Sequence, residues 1–383
     1  FKTILDEFRP LTTTQVQNGL SQLSGDVYGS QSQMMIHGTS QLIGTIGGRL
    51  RAGLFNQGGG AGFARAMPSS SPATSNSGVA LVSYVEASQS PCDVLIAPTC
   101  HAAYHWRGWV SGYGLGGSAE SDGNAAGIGY GLGGTTFGIE RDLGPRTRLG
   151  FFGGYVGSSV SADNVNQTVR TNGGNFGSYL THTAGRHYGI ALGGFQFDDY
   201  DSDRTIQVGT LTRTARGDSD GWQSFAYAER GMNLQLTRSA QWQPFAGLQY
   251  VYARQNGFTE TGAGSMNLAM AGIDTHSLRS NLGSRLQWQA WTSARGWAIT
   301  PEIRGSWMHE FLDTTSVVNA QFAGVGGAGF SANGLDLGRD WAIVGGGFAA
   351  RPSDRWELRA DYDTQFNDRQ VFHVGSGTLS YVW

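Results

Sequence analysis

His309 and Glu310 open a His-Glu-x-x-His pattern, the spacing that holds zinc from one face of a helix, but Asp313 stands where the second histidine belongs. The residues around it alternate apolar and polar with period two, so they read as a strand. Residues 112–117 and 129–134 both match Gly-x-Gly-x-x-Gly, yet no strand–helix unit follows either, which removes the dinucleotide reading. No Gly-x-Ser-x-Gly elbow is present. His182, His187, His276, His309 and His373 are scattered over separate segments. Asp198, Asp199, Asp201 and Asp203, with Tyr200, form an acidic run that reads as a solvated loop with at most weak cation affinity. Cys92 and Cys100 are the only cysteines. Without further Cys or His nearby they make a poor zinc site; a small disulfide loop in an oxidising compartment is the expectation. The sequence therefore predicts no catalytic, cofactor or metal site, and function must reside in architecture.

The chain has 383 residues, among them 60 Gly, 11 Trp, 14 Tyr and 19 Phe, with only 14% charged residues and a net charge of −3. No basic run supports nucleic-acid binding. No apolar run reaches the length of a membrane helix, which leaves open a barrel that hides its lipid face in alternate residues. Phe1 is not an initiator Met and no signal peptide follows, so the chain is expected to be the C-terminal portion of something longer. Residues 1–12 read as the tail of an upstream segment, closed by Pro10.

Residues 13–55 carry a helical pattern. Val16, Leu20, Leu23 and Val27 recur at helical spacing, and Ile43, Ile46, Leu50 and Leu54 resume it. Gly25 and Gly29 lie one turn apart, as do Ser40, Gly44 and Gly48. Each interior glycine costs a free helix about 1 kcal/mol, so this helix is expected to be closely surrounded. Residues 56–104 are a Gly/Ser/Pro-rich linker containing the cysteine pair.

From His105 to Trp383 the period is two. Arg279, Arg285, Glu302, Arg304, Glu310, Glu357, Arg359 and Asp361 share faces opposite to Leu282, Leu286, Ile303, Trp307, Leu358 and Tyr362. Alternation alone fits a soluble barrel or a membrane barrel with a wet lumen. About twelve strands are predicted, with short connections near 144–145, 184–186, 237–240, 293–296 and 352–354. Longer ones are predicted at 161–170, 201–217, 256–273 and 313–338. Loops sorted by parity point to a transmembrane barrel. Its last strand ends on Leu379, Tyr381 and Trp383, one apolar face at the membrane interface. If Tyr113, Leu115, Tyr130 and Leu132 meet lipid, then Gly112, Gly114, Gly129 and Gly131 form a side-chain-free lumenal wall on which the helix packs. The fold expected is an all-β, twelve-stranded antiparallel transmembrane barrel with an N-terminal helix in its lumen.

Several stretches resemble the C-terminal translocator domain of the autotransporter family. They are LSQLSGDVYGS (20–30) with GRLR (48–51), GFTETGAG (257–264), PEIRGSWMHEF (301–311), RDWAIVGGGFAAR (339–351), LRADYDTQF (358–366) and the terminal strand. The resemblance covers residues 13–383; the long linker and the terminal Trp383, where Phe is commoner, depart from it. It implies a barrel placed in the Gram-negative outer membrane by the barrel-assembly machinery, with short turns in the periplasm and long loops outside. The barrel, a monomer, would let its own upstream passenger reach the surface and would then be plugged by the helix. The alternative is an outer-membrane porin or structural barrel without passenger transport. Some family members cut their passenger with a helix Asn and lumenal acids; Asn18 with Glu302, Glu310 or Asp361 is the only comparable set here, and the paired-Asn motif is missing.

Overall fold

A computed structural model describes residues 6–54, 105–163, 165–293, 297–324 and 329–383. Cys92, Cys100 and the linker lie outside the described residues.

Twelve strands close into one antiparallel barrel. They are β1 (Trp106–Ala119), β2 (Ile128–Asp142), β3 (Thr147–Ala162), β4 (Gln167–Ala184), β5 (His187–Val208) and β6 (Leu211–Met232). The second half is β7 (Ala240–Gln255), β8 (Ile273–Trp288), β9 (Ala298–Glu310), β10 (Asp340–Arg351), β11 (Trp356–Phe366) and β12 (Gln370–Val382). Each pairs with its sequence neighbour, and β12 closes on β1 in register from Arg107↔Val382 to Ala119↔Gln370. Closure leaves no barrel edge unpaired in hydrocarbon. Trp383 lies over Gly108, and Tyr381 packs at a tilt against Trp356 with ring centres 4.7 Å apart, so the terminal apolar face finishes the seam.

The outer wall carries Phe137, Phe151, Phe176, Leu282, Ile303 and Phe348, all exposed to the surroundings. Trp106, Trp242, Trp291, Trp297, Trp356 and Trp383 ring the short-turn end, and Tyr250, Trp307, Phe311 and Phe366 lie toward the other. An apolar band between aromatic girdles is the outside of a membrane barrel.

Two of the predicted long loops are strands. β5 and β6 run on to the turn at Gly209 and Thr210, forming a hairpin that overshoots the rim, and β3 and β4 stay paired as far as Ala162↔Gln167. The acidic run is therefore part of β5. Asp198 points inward, 3% exposed, and accepts hydrogen bonds from Gln196 (2.7 Å) and Gln223 (2.8 Å). The connections 256–272 and 311–339 are long, and they build a separate four-stranded cap from residues 258–259, 268–270, 317–322 and 330–333.

The helical stretch is two helices. α1 (Thr13–Ser24) starts with a capping box in which the Thr12 side chain accepts from the Gln15 backbone and the Gln15 side chain accepts from that of Thr12. It ends at Gly25, whose φ of 68° is the left-handed conformation that glycine adopts without a Cβ penalty. α2 (Asp26–Leu54) then runs down the lumen to the short-turn end, where Asn233 donates to the Leu54 carbonyl (3.2 Å). Trp106 begins β1 at that same end.

Candidate functional site: the plugged lumen

α2 is a polar-looking helix that is buried on nearly every face, and side chains of the barrel and of the 311–339 connection bond many of its polar groups. Gln31 donates to Thr171 (2.6 Å), Ser32 bonds Thr275 (2.7 Å), Gln33 donates to Ser316 (3.1 Å) and Thr39 donates to Gln223 (2.7 Å). These bonds offset the cost of burying the bonded atoms, while Gln31 Oε1 and His37 Nε2 are buried without a partner among the described residues. His37 sits between Trp341 and Phe372, with ring centres 5.7 and 5.3 Å away.

The expected glycine wall is reversed. Tyr113, Leu115, Tyr130 and Leu132 point inward and are buried, while Gly112, Gly114, Gly129 and Gly131 line the outer face. The assumption that the aromatics seek lipid fails because the plug offers apolar surface inside. The small residue in this contact belongs to the helix: a Cβ on Gly38 would lie 2.9 Å from Leu132 Cδ1 and 3.3 Å from the Tyr130 hydroxyl, which donates to the Met34 carbonyl (3.1 Å).

The predicted helix positions also divide. Leu20 is on α1, outside the lumen and 56% exposed, and Leu23 packs on the β5–β6 hairpin. Gly25 is the break between helices. Gly29 meets the cap, where an added Cβ would stand 2.7 Å from Gly334 N and from Ser316 O. Ser40 accepts from Gln249 (2.6 Å) and Arg279 (3.0 Å). Gly44 has no atom within 4 Å of a built Cβ. With Ser40 and Gly48 it borders a cavity of about 120 Å³ that reaches Asn281, Arg304, Asp361 and Asp363 on the far wall. The helix therefore leans on one side of the barrel.

That far wall holds most of the predicted lumenal charges. Glu302 Oε1 accepts from Arg304 (2.6 Å) and is ion-paired with Arg359 (2.7 Å) and Arg285 (3.3 Å). Arg304 also reaches Asp361 and Asp363, each at 2.7 Å. Gly345 and Gly347 on β10 make room, since a Cβ on either would overlap the Asp363 or Asp361 carboxylate. The ions thus lie flat on the wall. Glu357 pairs with Arg351 (2.7 Å). Arg279 and Glu310 form a separate buried pair at 2.8 Å.

Sequence reasoning missed the clamps at both ends of α2. At the lower end Arg49 donates to Glu140 (2.8 Å), which also accepts from Tyr179 (2.6 Å), and its guanidinium lies 4.6 Å above the Trp109 ring. Arg51 pairs with Glu229, which accepts from Tyr188 (2.9 Å) and Tyr227. Cations here also face the negative end of the helix dipole. At the upper end the Tyr28 hydroxyl donates to Glu260 (2.8 Å), and Leu335 N donates to Ser30 (3.1 Å). The signal available was the strand parity that turns Glu140 and Glu229 inward, opposite the arginines of GRLR. In the β1–β2 loop, burial would raise the Asp122 carboxyl, but backbone N–H groups of Ala125, Asp336 and Asn124, with Arg369 nearby, hold it below its ordinary value.

Asn18 is exposed on α1 outside the barrel, apart from Glu302, Glu310 and Asp361, which are held in lumenal ion pairs. The set that would cut the chain is not assembled. Among the described residues, no group of three or more His, Cys, Asp or Glu is placed to hold a metal ion.

A closed antiparallel membrane barrel of twelve strands, filled lengthwise by a helix from its own N-terminal side, defines a plugged outer-membrane barrel. The autotransporter β-domain family model matches residues 108–363, and the chain belongs to that family. The fold is similar to the translocator domain of NalP from Neisseria meningitidis, with 16% identity, TM-score 0.59, and coverage of 72% of this chain and 88% of that one. It is also similar to the β domain of the Bordetella autotransporter BrkA, with 16% identity, TM-score 0.51, and coverage of 72% and 98%. No curated protein matches the chain.

Proposed function

We propose that this chain is the translocator of an autotransporter, which carries an upstream passenger across the outer membrane and has no enzymatic activity of its own. One observation carries the reading: α2 is buried along the lumen, while α1 leaves through the long-loop end. A chain threaded this way keeps its upstream part on the long-loop side, which the reading places outside the cell, with short turns in the periplasm. A polar lumen tolerates an extended polar chain, and α2 with the cap then restores the permeability barrier. The barrel works as a monomer in outer-membrane lipid, after insertion by the barrel-assembly machinery. The porin reading is disfavoured, because a diffusion channel has no use for a helix clamped at both ends.

The test is surface exposure. A signal peptide and a small tag are fused ahead of Phe1, and protease is added to intact cells. Tag lost while the barrel fragment survives in the outer membrane is the expected result. Tag protected until the outer membrane is broken would overturn the transport reading.

A further inference from the structure

The overshooting β5–β6 hairpin has an apolar side that the upstream part of the chain covers together with residues of the cap connections. Ile206, Val208 and Ala215 are buried there with Leu23, Ala263 and Met266, in a cluster separate from the lumenal core, and Phe8 and Leu11 pack against it. Polar contacts fix the same alignment. Gln207 N donates to Gln22 Oε1 (2.5 Å), Thr210 N donates to Glu7 (3.0 Å), and Arg204 donates to the Gln22 carbonyl (2.6 Å). Arg204 is fully buried and also grips both oxygens of Glu260 (2.9 and 2.5 Å) and the Met266 carbonyl (3.1 Å). It thus joins the hairpin, the cap connection and the exported segment. α1 carries its own start signal in the capping box and its own stop at Gly25, so it can fold as soon as it emerges.

We propose that the hairpin is a latch for the exported chain: a docking surface for the amphipathic segment 7–23, which folds onto it outside the barrel and opposes its return. The proposal rests on the transport reading. Its occupant is fixed by the seated segment itself, by the match of Gln22 and Glu7 to hairpin donors, and by the apolar side chains that an empty hairpin would leave in water. Docking of this kind draws on burial of apolar surface on the far side of the membrane, where no nucleotide is needed to drive it.

The test compares export kinetics with docking. In the tagged chain, Gln22→Cys with Gln207→Cys reports docking by disulfide formation, and pulse–chase with external protease reports the appearance of the tag. Ile206→Asp with Val208→Asp should abolish the crosslink and slow tag appearance by at least about tenfold, the low end of the scale set by losing one buried aliphatic side chain. Barrel closure, read as resistance to unfolding in detergent on heating, should stay unchanged. Should the charged hairpin disturb the barrel, Phe8→Ser with Leu23→Ser tests the same contact from the exported side. Loss of the crosslink with unaltered export would overturn the latch and leave transport standing. Persistence of the crosslink in both variants would overturn the apolar side as the docking surface. Failure of the unmutated chain to expose its tag would remove the transport reading and the latch together.

Discussion

Replacing Glu229 by Ala should unseat the lower end of the plug. Arg51 and Glu229 are almost wholly desolvated, with side chains 11% and 0% exposed. The carboxylate also takes the hydroxyls of Tyr188 and Tyr227. Removing it leaves a buried guanidinium without its anion and two phenols without an acceptor. Breaking one partner of a buried pair costs about 3–5 kcal/mol. That is roughly two to nearly four powers of ten in the equilibrium between the seated and released helix end. Ala52, 5% exposed on the last turn of α2, reports this equilibrium when changed to Cys. Its labelling rate follows the open population if closing outpaces labelling. In purified barrels, Glu229→Ala should raise that rate at least about a hundredfold. Arg51→Met combined with Glu229→Gln should recover most of the loss, because no lone charge remains. A single-variant rate within about twofold of the parent, or a double variant as fast as the single, would show that the pair does not hold the helix.

Gly38→Val should destabilise the plugged barrel by about 1–3 kcal/mol through overpacking against Leu132 and Tyr130, read as a lower detergent unfolding temperature; Leu132→Ala should relieve part of it. A nitroxide on Gly131→Cys should be relaxed by a lipid-soluble quencher, while one on Leu132→Cys is shielded; equal quenching would contradict the inward placement of Leu132. Asp122 is held below its ordinary value of 3.8, so its contribution to the cap is full above that pH and declines as pH falls through the lower folded value. Proteolysis of the cap at graded acidity should show this loosening, and Asp122→Asn should remove the pH dependence. Gly345→Val should push Asp363 off Arg304 and into the cavity beside Gly44, lowering single-channel conductance; an unchanged conductance would mean that ions do not take that path.

The barrel was legible because period-two alternation is written into most strands, and residues such as Arg285, Glu302 and Arg359 have no tenable place on a lipid face. The plug helix was legible in its glycines, which make little sense in water. Three features were hidden. The inward turn of Tyr130 and Leu132 depends on a helix distant in sequence that makes the lumen locally apolar, so side-chain polarity misled. The overshoot of β5 and β6 was disguised by aspartates, which favour loops in isolation; here Asp199 and Asp201 face outward on a long strand pair and Asp198 faces the lumen. The clamps joining Arg49 to Glu140 and Arg51 to Glu229 require knowing the depth of the helix in the barrel, and helical periodicity does not encode depth.

Leu54 and Trp106 both stand at the short-turn end of the barrel. Whatever joins them enters and leaves on one side, so its length is decoupled from the geometry of the pore. Extra protein can be spliced between them without stretching helix or sheet. A chain fused ahead of Phe1 and a second domain inserted between those two residues would then be held on opposite sides of one membrane, in fixed one-to-one ratio.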